Sequence, residues 1–202
     1  MTLFTPPHIL DGPRWRNLRV GVLGGSFNPP HPGHVHISEI ALKRLHLDCV
    51  WWLVTPQNPL KDQAQTESFD RRFDKCRQLA ASHSRIIVSD LEQRFGSTRT
   101  VETAFNLKTA FPATRFVLLA GTDILPEFHR WHRWREIPDQ MAMAFIGRPP
   151  AGSLVRRNVL TLGGQNRWQA PRGKVPLTPG RFYRIFDEPL NTLSSTQIRN
   201  NL

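Results

Sequence analysis

Two histidines three residues apart, His31 and His34, close the run Gly24-Gly25-Ser26-Phe27-Asn28-Pro29-Pro30-His31-Pro32-Gly33-His34. The run follows the apolar stretch Val20–Leu23 and precedes a helix-like segment from Val35 to Leu45. A glycine turn between a strand and a helix start can hold phosphate. Gly24 and Gly25 allow close backbone approach, Ser26 and Phe27 offer N–H groups, and the first helical turn adds unpaired donors and a positive dipole end. Imidazoles can donate to phosphate oxygens without the bulk or fixed charge of lysine. The competing reading of His31 and His34 is a surface or helix-cap pair.

Further groups suited to an anionic ligand lie downstream. Lys61 ends the loop Thr55–Lys61 as a mobile point charge or a solvated side chain. Asp123, after Gly121, can accept from ribose hydroxyls or cap the next helix. Arg148 either lines the cleft or sits on the surface before Pro149. Arg199 can reach two phosphate oxygens at once, with Ser195 and Thr196 capping a short final helix beside it. Phe128, Trp131 and Trp134 recur every three residues, which fits an amphipathic helix packing into a core.

The elements that must position these groups alternate. Strands are expected at Val20–Leu23, Cys49–Val54, Ile86–Val88, Arg115–Ala120, Met141–Ile146 and Phe182–Phe186. Helices are expected at Val35–Leu45, Phe69–Ala81, Thr100–Ala110, Ile124–Ile137 and Ser195–Leu202. Such alternation implies an α/β fold, a Rossmann-like, mostly parallel sheet with helices on both faces and ligands at the strand carboxyl ends. Trp51 and Trp52 must then face opposite sides. Residues 153–179 are polar and basic and read as weakly ordered, with Val159-Leu160 as a short edge element.

The 202 residues suffice for one domain with a sizeable core, with 1–17 as a flexible arm and 18–202 as the domain. A net charge of +11 favours an anionic partner, and nucleotide phosphate and nucleic acid both qualify. No apolar run is long enough to span a bilayer, and no secretory signal opens the chain. Cys49 and Cys76 make neither a disulfide framework nor a cysteine zinc site, so a reduced, cytoplasmic setting is expected.

Five motifs in order carry a resemblance over roughly residues 18–202. They are Gly24–His34 with its His31-Pro32-Gly33-His34 signature, Asn58-Pro59-Leu60-Lys61, Gly121-Thr122-Asp123 followed by Trp131 and Trp134, Arg148-Pro149, and Ser194–Arg199. In these the chain resembles the bacterial nicotinate mononucleotide adenylyltransferases of the HxGH nucleotidyltransferase superfamily. The resemblance implies adenylyl transfer from ATP to nicotinate mononucleotide in NAD biosynthesis, giving nicotinate adenine dinucleotide and pyrophosphate. Mg2+ is expected with ATP, and no protein metal site is implied. It also implies His31, His34 and Arg199 as catalytic residues on the ATP phosphates. Gly24, Gly25, Ser26, Phe27, Gly121, Asp123, Ser195 and Thr196 complete the ATP side. Lys61, Thr100, Thr103, Trp131 and Arg148 serve the mononucleotide cleft, with Trp131 stacked on the pyridine ring and Arg148 toward the adenosine side. Arg99 and Glu102 depart from the family's tyrosine and aspartate at the start of the helix that holds the nicotinate side.

The rivals are an enzyme preferring the amide mononucleotide, a pantetheine phosphate adenylyltransferase, a class I aminoacyl-tRNA synthetase and a basic RNA-binding protein. The third needs a KMSKS-like loop and an anticodon domain, and neither is visible. RNA-recognition patterns are also missing, so nucleic acid is disfavoured as a partner. The oligomeric state is left open.

Overall fold

A computed structural model describes residues 12–56, 66–147 and 168–186. Seven parallel strands form one sheet: β1 (Arg19–Gly25), β2 (Cys49–Val54), β3 (Ile86–Ser89), β4 (Arg115–Gly121), β5 (Ala142–Ile146), β6 (Trp168–Gln169) and β7 (Phe182–Ile185). Their spatial order is β3-β2-β1-β4-β5-β7-β6. The chain steps outward from β1 to β3, then returns to lay β4 on the other side of β1. The carboxyl ends of β1 and β4 therefore flank the switch point, where open parallel sheets leave a crevice for ligands.

The central strands read as continuous apolar runs because both of their faces are covered. Val50, Trp52 and Val54 pack on one side with Ile37, Ile40 and Ala41 of α1 (Pro32–Arg44) and Cys76 and Ala80 of α2 (Phe69–Ala80). Cys49, Trp51 and Leu53 pack on the other with Leu91 of α3 (Leu91–Phe95) and Val101, Ala104 and Leu107 of α4 (Thr100–Ala110). Trp51 and Trp52 are both fully buried, on opposite faces, as the period of a strand demands. The Trp52 indole N–H donates to Ser38 Oγ at 2.8 Å, and that hydroxyl donates to the His34 carbonyl at 2.8 Å. Strand β2 is thereby pinned to the first turns of α1.

Several elements differ from the expected ones, each for a local reason. Helix α1 starts at Pro32, three residues early, because proline's fixed φ suits a first turn. Helix α3 is too short to show a period and ends on Gly96 at φ +63°. The expected helix over Ile124–Ile137 is three 3-10 turns followed by α5 (Ile137–Gln140). Trp131 is extended and Arg133 adopts φ +49°, so no continuous helix runs through the aromatics. Within the stretch read as weakly ordered, Trp168 and Gln169 form β6 on the edge beside β7. Part of the expected arm is docked: Trp15 is buried edge-on against Trp51 at 5.0 Å, and its carbonyl accepts from Thr114 Oγ1. Val159-Leu160 and the final helix lie outside the described residues.

Candidate active site

The glycine pair does not turn the chain. Gly24 and Gly25 end β1 in parallel register with Leu53 and Val54, and the left-handed residue is Phe27 at φ 46°. A phenylalanine holds this backbone conformation, uncommon outside glycine, because its ring is wedged in the core. It stacks on Trp52 at 5.2 Å and tilts against His34 at 4.7 Å, with 2% exposure. Ser26, Asn28 and His31 are buried around it.

His31 is the N-cap of α1. Its Nδ1 accepts from the Gly33 N–H at 3.1 Å, and the His31 N–H donates to Nδ1 of His34 at 3.1 Å, a reciprocal capping box. In each neutral ring the proton then resides on Nε2. His34 Nδ1 also lies 3.2 Å from the His31 carbonyl, which it can serve only when protonated. The two rings sit 3.9 Å apart. The expected pair thus divides in depth: His34 faces a cavity, and His31 stands behind it at 2% exposure.

That cavity, about 440 Å³, opens at the carboxyl ends of the strands. Its lining includes Gly24, Gly25 and His34 from the end of β1 and the start of α1, Gly121, Asp123 and Trp131 from the end of β4 and the turns after it, and Arg99, Thr100 and Thr103 from the start of α4. Because Trp131 is extended, its ring reaches the cavity while also touching Phe128 at 5.3 Å. Trp134 instead packs on Phe128 at 5.8 Å, under the Arg135 guanidinium at 4.5 Å. Asp123 is the middle residue of a 3-10 turn whose N-cap is Gly121, so it is not the cap that was its alternative reading.

Thr103 is not available as a donor in this arrangement. Its hydroxyl donates to Glu92 Oε1 at 2.9 Å, and the Ser97 hydroxyl lies 3.0 Å away. A hydroxyl has one proton, and Thr103 spends it inside the protein. Glu92 also lines the cavity, and its Oε2 is buried with no hydrogen-bond partner among the described residues. Burial pushes its carboxyl above the ordinary value, with the Thr55 and Thr103 side chains opposing.

The sequence profile of the cytidylyltransferase-like family matches residues 22–201. A probable nicotinate-nucleotide adenylyltransferase of Ruegeria sp. (strain TM1040) is 46% identical over 186 residues, 90% of this chain and 96% of that protein. One of Cereibacter sphaeroides (strain ATCC 17023) is 41% identical over 186 residues, 89% and 95% of the two chains. This chain belongs to the nicotinate-nucleotide adenylyltransferase family. Its fold is that of Plasmodium falciparum nicotinic acid mononucleotide adenylyltransferase complexed with NaAD, with a TM-score of 0.69 at 18% identity over 91% of this chain and 83% of that one.

In this nicotinate-nucleotide adenylyltransferase the cavity gathers Gly24, Gly25, His34, Thr100, Thr103, Gly121, Asp123 and Trp131 from the expected set. Ser26, Phe27 and His31 support it from behind. Lys61, Arg148, Ser195, Thr196 and Arg199 lie outside the described residues. Glu92, Arg130 and His132 line the cavity without having been expected there. For Glu92 the available signal was position: it follows the carboxyl end of β3, where a parallel sheet offers residues to ligand.

Proposed function

We propose that this cavity joins ATP to nicotinate mononucleotide by direct attack of the mononucleotide phosphate on the ATP α-phosphorus. One phosphate oxygen forms the new bond to that phosphorus, and the bond to the bridging oxygen toward the β-phosphate breaks. Pyrophosphate leaves with the electron pair, and the dinucleotide remains. The substrate is the nucleophile, so the protein's task is to align two anions and stabilise charge at the α-phosphate.

The observation that carries this reading is His34. It faces the cavity from the first turn of α1, at the switch point of the sheet, with Nδ1 bonded to the His31 amide. That bond puts the neutral ring's proton on Nε2, which we assign as the donor to phosphate, with the α1 dipole behind it. His31 holds this tautomer and orientation. The flat strand end at Gly24 and Gly25 lets phosphate approach the backbone, Asp123 accepts from ribose hydroxyls, and Trp131 stacks on the pyridine ring. Arg99 and Arg130 line the same cavity and favour an acid over an amide. We assign Lys61, Arg148, Ser195, Thr196 and Arg199 to the remaining anion contacts, within one nucleotidyltransferase domain over 18–202.

Mg2+ binds hard oxygen ligands and would offset charge on the ATP phosphates. The described residues include no group of three or more His, Cys, Asp or Glu side chains placed to hold a metal. In this reading the ion is carried by the nucleotide's own phosphates. Among the described residues no helix is long and apolar enough to cross a membrane; we place the enzyme in the cytoplasm.

The test is pyrophosphate release from ATP and Mg2+ with nicotinate mononucleotide or nicotinamide mononucleotide at matched concentrations. Preference for the acid is expected, and His34→Ala is expected to cut kcat by roughly 100- to 1,000-fold, the range for losing one transition-state donor. Preference for the amide would overturn the substrate assignment. No release with either from folded protein would overturn the reaction.

A further inference from the structure

Arg72 is the most deeply buried charge among the described residues. It projects from the first turn of α2 and is 1% exposed. Its Nη1 donates to the Ser26 carbonyl at 2.6 Å and the Thr55 carbonyl at 2.9 Å. Nη2 donates to the Pro56 carbonyl at 2.8 Å and Nε to the Glu67 carbonyl at 2.9 Å. All four partners are main-chain carbonyls. Among the described residues no carboxylate forms an ion pair with it.

Among the described residues the nearby acidic groups do not pair with it. The Glu67 carboxylate is held by Lys75, with both oxygens 2.7 Å from Nζ at the surface. Cys76, one helical turn from Arg72, is fully buried, and burial pushes its thiol up to about 12, so it is neutral. Burying a guanidinium is costly, and removing its solvent without supplying a counter-anion is more so. Four directed hydrogen bonds offset much of that cost and leave a fixed positive charge beside the loop after β1.

We propose that Arg72 is a positioning residue for the phosphate-binding loop, acting through the main-chain carbonyls it holds at the exits of β1 and β2. Two effects follow from the geometry. Bonding to the carbonyls of Ser26 and Thr55 clamps the exits of β1 and β2 together, fixing the strand ends where Gly24, Gly25 and Thr55 meet the cavity. The Ser26 carbonyl also belongs to the peptide whose N–H is that of Phe27. A cation on this oxygen polarises the peptide and strengthens that N–H as a donor. The positive φ of Phe27 is thus held from two sides, by its ring in the core and by Arg72 on the preceding carbonyl. The inference rests on the adenylyl-transfer reading, in which ATP phosphates occupy the His34 end of the cavity.

The readout is the ratio of ATP to adenosine affinity, by calorimetry without mononucleotide, in wild type, Arg72→Lys and Arg72→Met. A purely structural role would weaken both ligands alike. We expect Arg72→Met to lose at least tenfold in ATP affinity with adenosine affinity within twofold of wild type. Arg72→Lys keeps the charge but loses the fork of donors, and it is expected to fall between the two. If Arg72→Met does not fold, as judged by thermal melting, the lysine variant carries the test, with an expected three- to tenfold fall in the ratio. A wild-type preference for ATP that survives unchanged in the folded variants would overturn the Arg72 assignment alone. Wild-type protein that binds adenosine as tightly as ATP would contradict the phosphate-site reading beneath it.

Discussion

At Glu92 a carboxyl group lies beside the cavity with one oxygen bonded to Thr103 and the other buried without a partner. The native state therefore holds its proton to higher pH than the unfolded chain does, since burial raises its pKa from near 4.5. The folded state then binds more protons than the unfolded state across the window from 4.5 up to the raised value. Stability falls as pH rises through that window and levels above it. Glu92→Gln keeps an acceptor for Thr103 and cannot ionise. Urea unfolding at pH 4 and pH 8 is expected to show the variant gaining on wild type toward pH 8. Parallel curves would contradict a buried titrating carboxyl at this position. The histidines were legible from residue type and spacing, but their division of labour was not. Whether an imidazole caps the helix or faces ligand depends on depth, and depth comes from the strand that Trp52 and Ser38 pin beneath α1.

Strand β1 shows what an element asks of its glycines. A Cβ at Gly21 would meet Cδ1 of Leu119 and of Leu47, each at 2.8 Å, inside the packed core. A Cβ at Gly24 would meet nothing closer than Glu92 Oε1 at 4.0 Å, on the cavity side. Gly21→Ala is therefore expected to destabilise the fold by about 1–3 kcal/mol, the usual cost of overpacking, with nucleotide affinity retained in the folded fraction. Gly24→Ala is expected to leave the melting temperature unchanged and weaken ATP binding by roughly tenfold, or 1.4 kcal/mol. Thermal melting and calorimetry on the two variants separate these outcomes, and a reversed pattern would contradict the placement of the cavity at the strand end. The long buried strands were legible because continuous apolar runs persist where both faces are covered. Helix α3, with five residues, and strand β6, with two, carry too little pattern to be read from sequence. The aromatic segment misleads for a different reason. The three-residue spacing of Phe128, Trp131 and Trp134 mimics a helical stripe, whereas an extended Trp131 and a left-handed Arg133 redirect the rings.

Across the whole molecule, topology does what no single motif does. Placing β4 beside β1 brings His34, which follows the first strand, next to Asp123 and Trp131, which follow the fourth. Motifs about ninety residues apart in sequence thereby share one cavity. Their order along the chain was readable, and their convergence follows from the parallel sheet. The net charge of +11 indicated an anionic ligand but not where the charge acts. Arg72 places part of it under the loop, buried where composition cannot reveal it. The proposal that the substrate phosphate attacks ATP directly, with no protein nucleophile, is tested by a single turnover with α-phosphate-labelled ATP, Mg2+ and nicotinate mononucleotide, quenched in acid at intervals. Label is expected to pass into the dinucleotide in one phase, matched mole for mole by pyrophosphate, with none on the protein. Labelled protein appearing before dinucleotide, or pyrophosphate released without it, would contradict that mechanism.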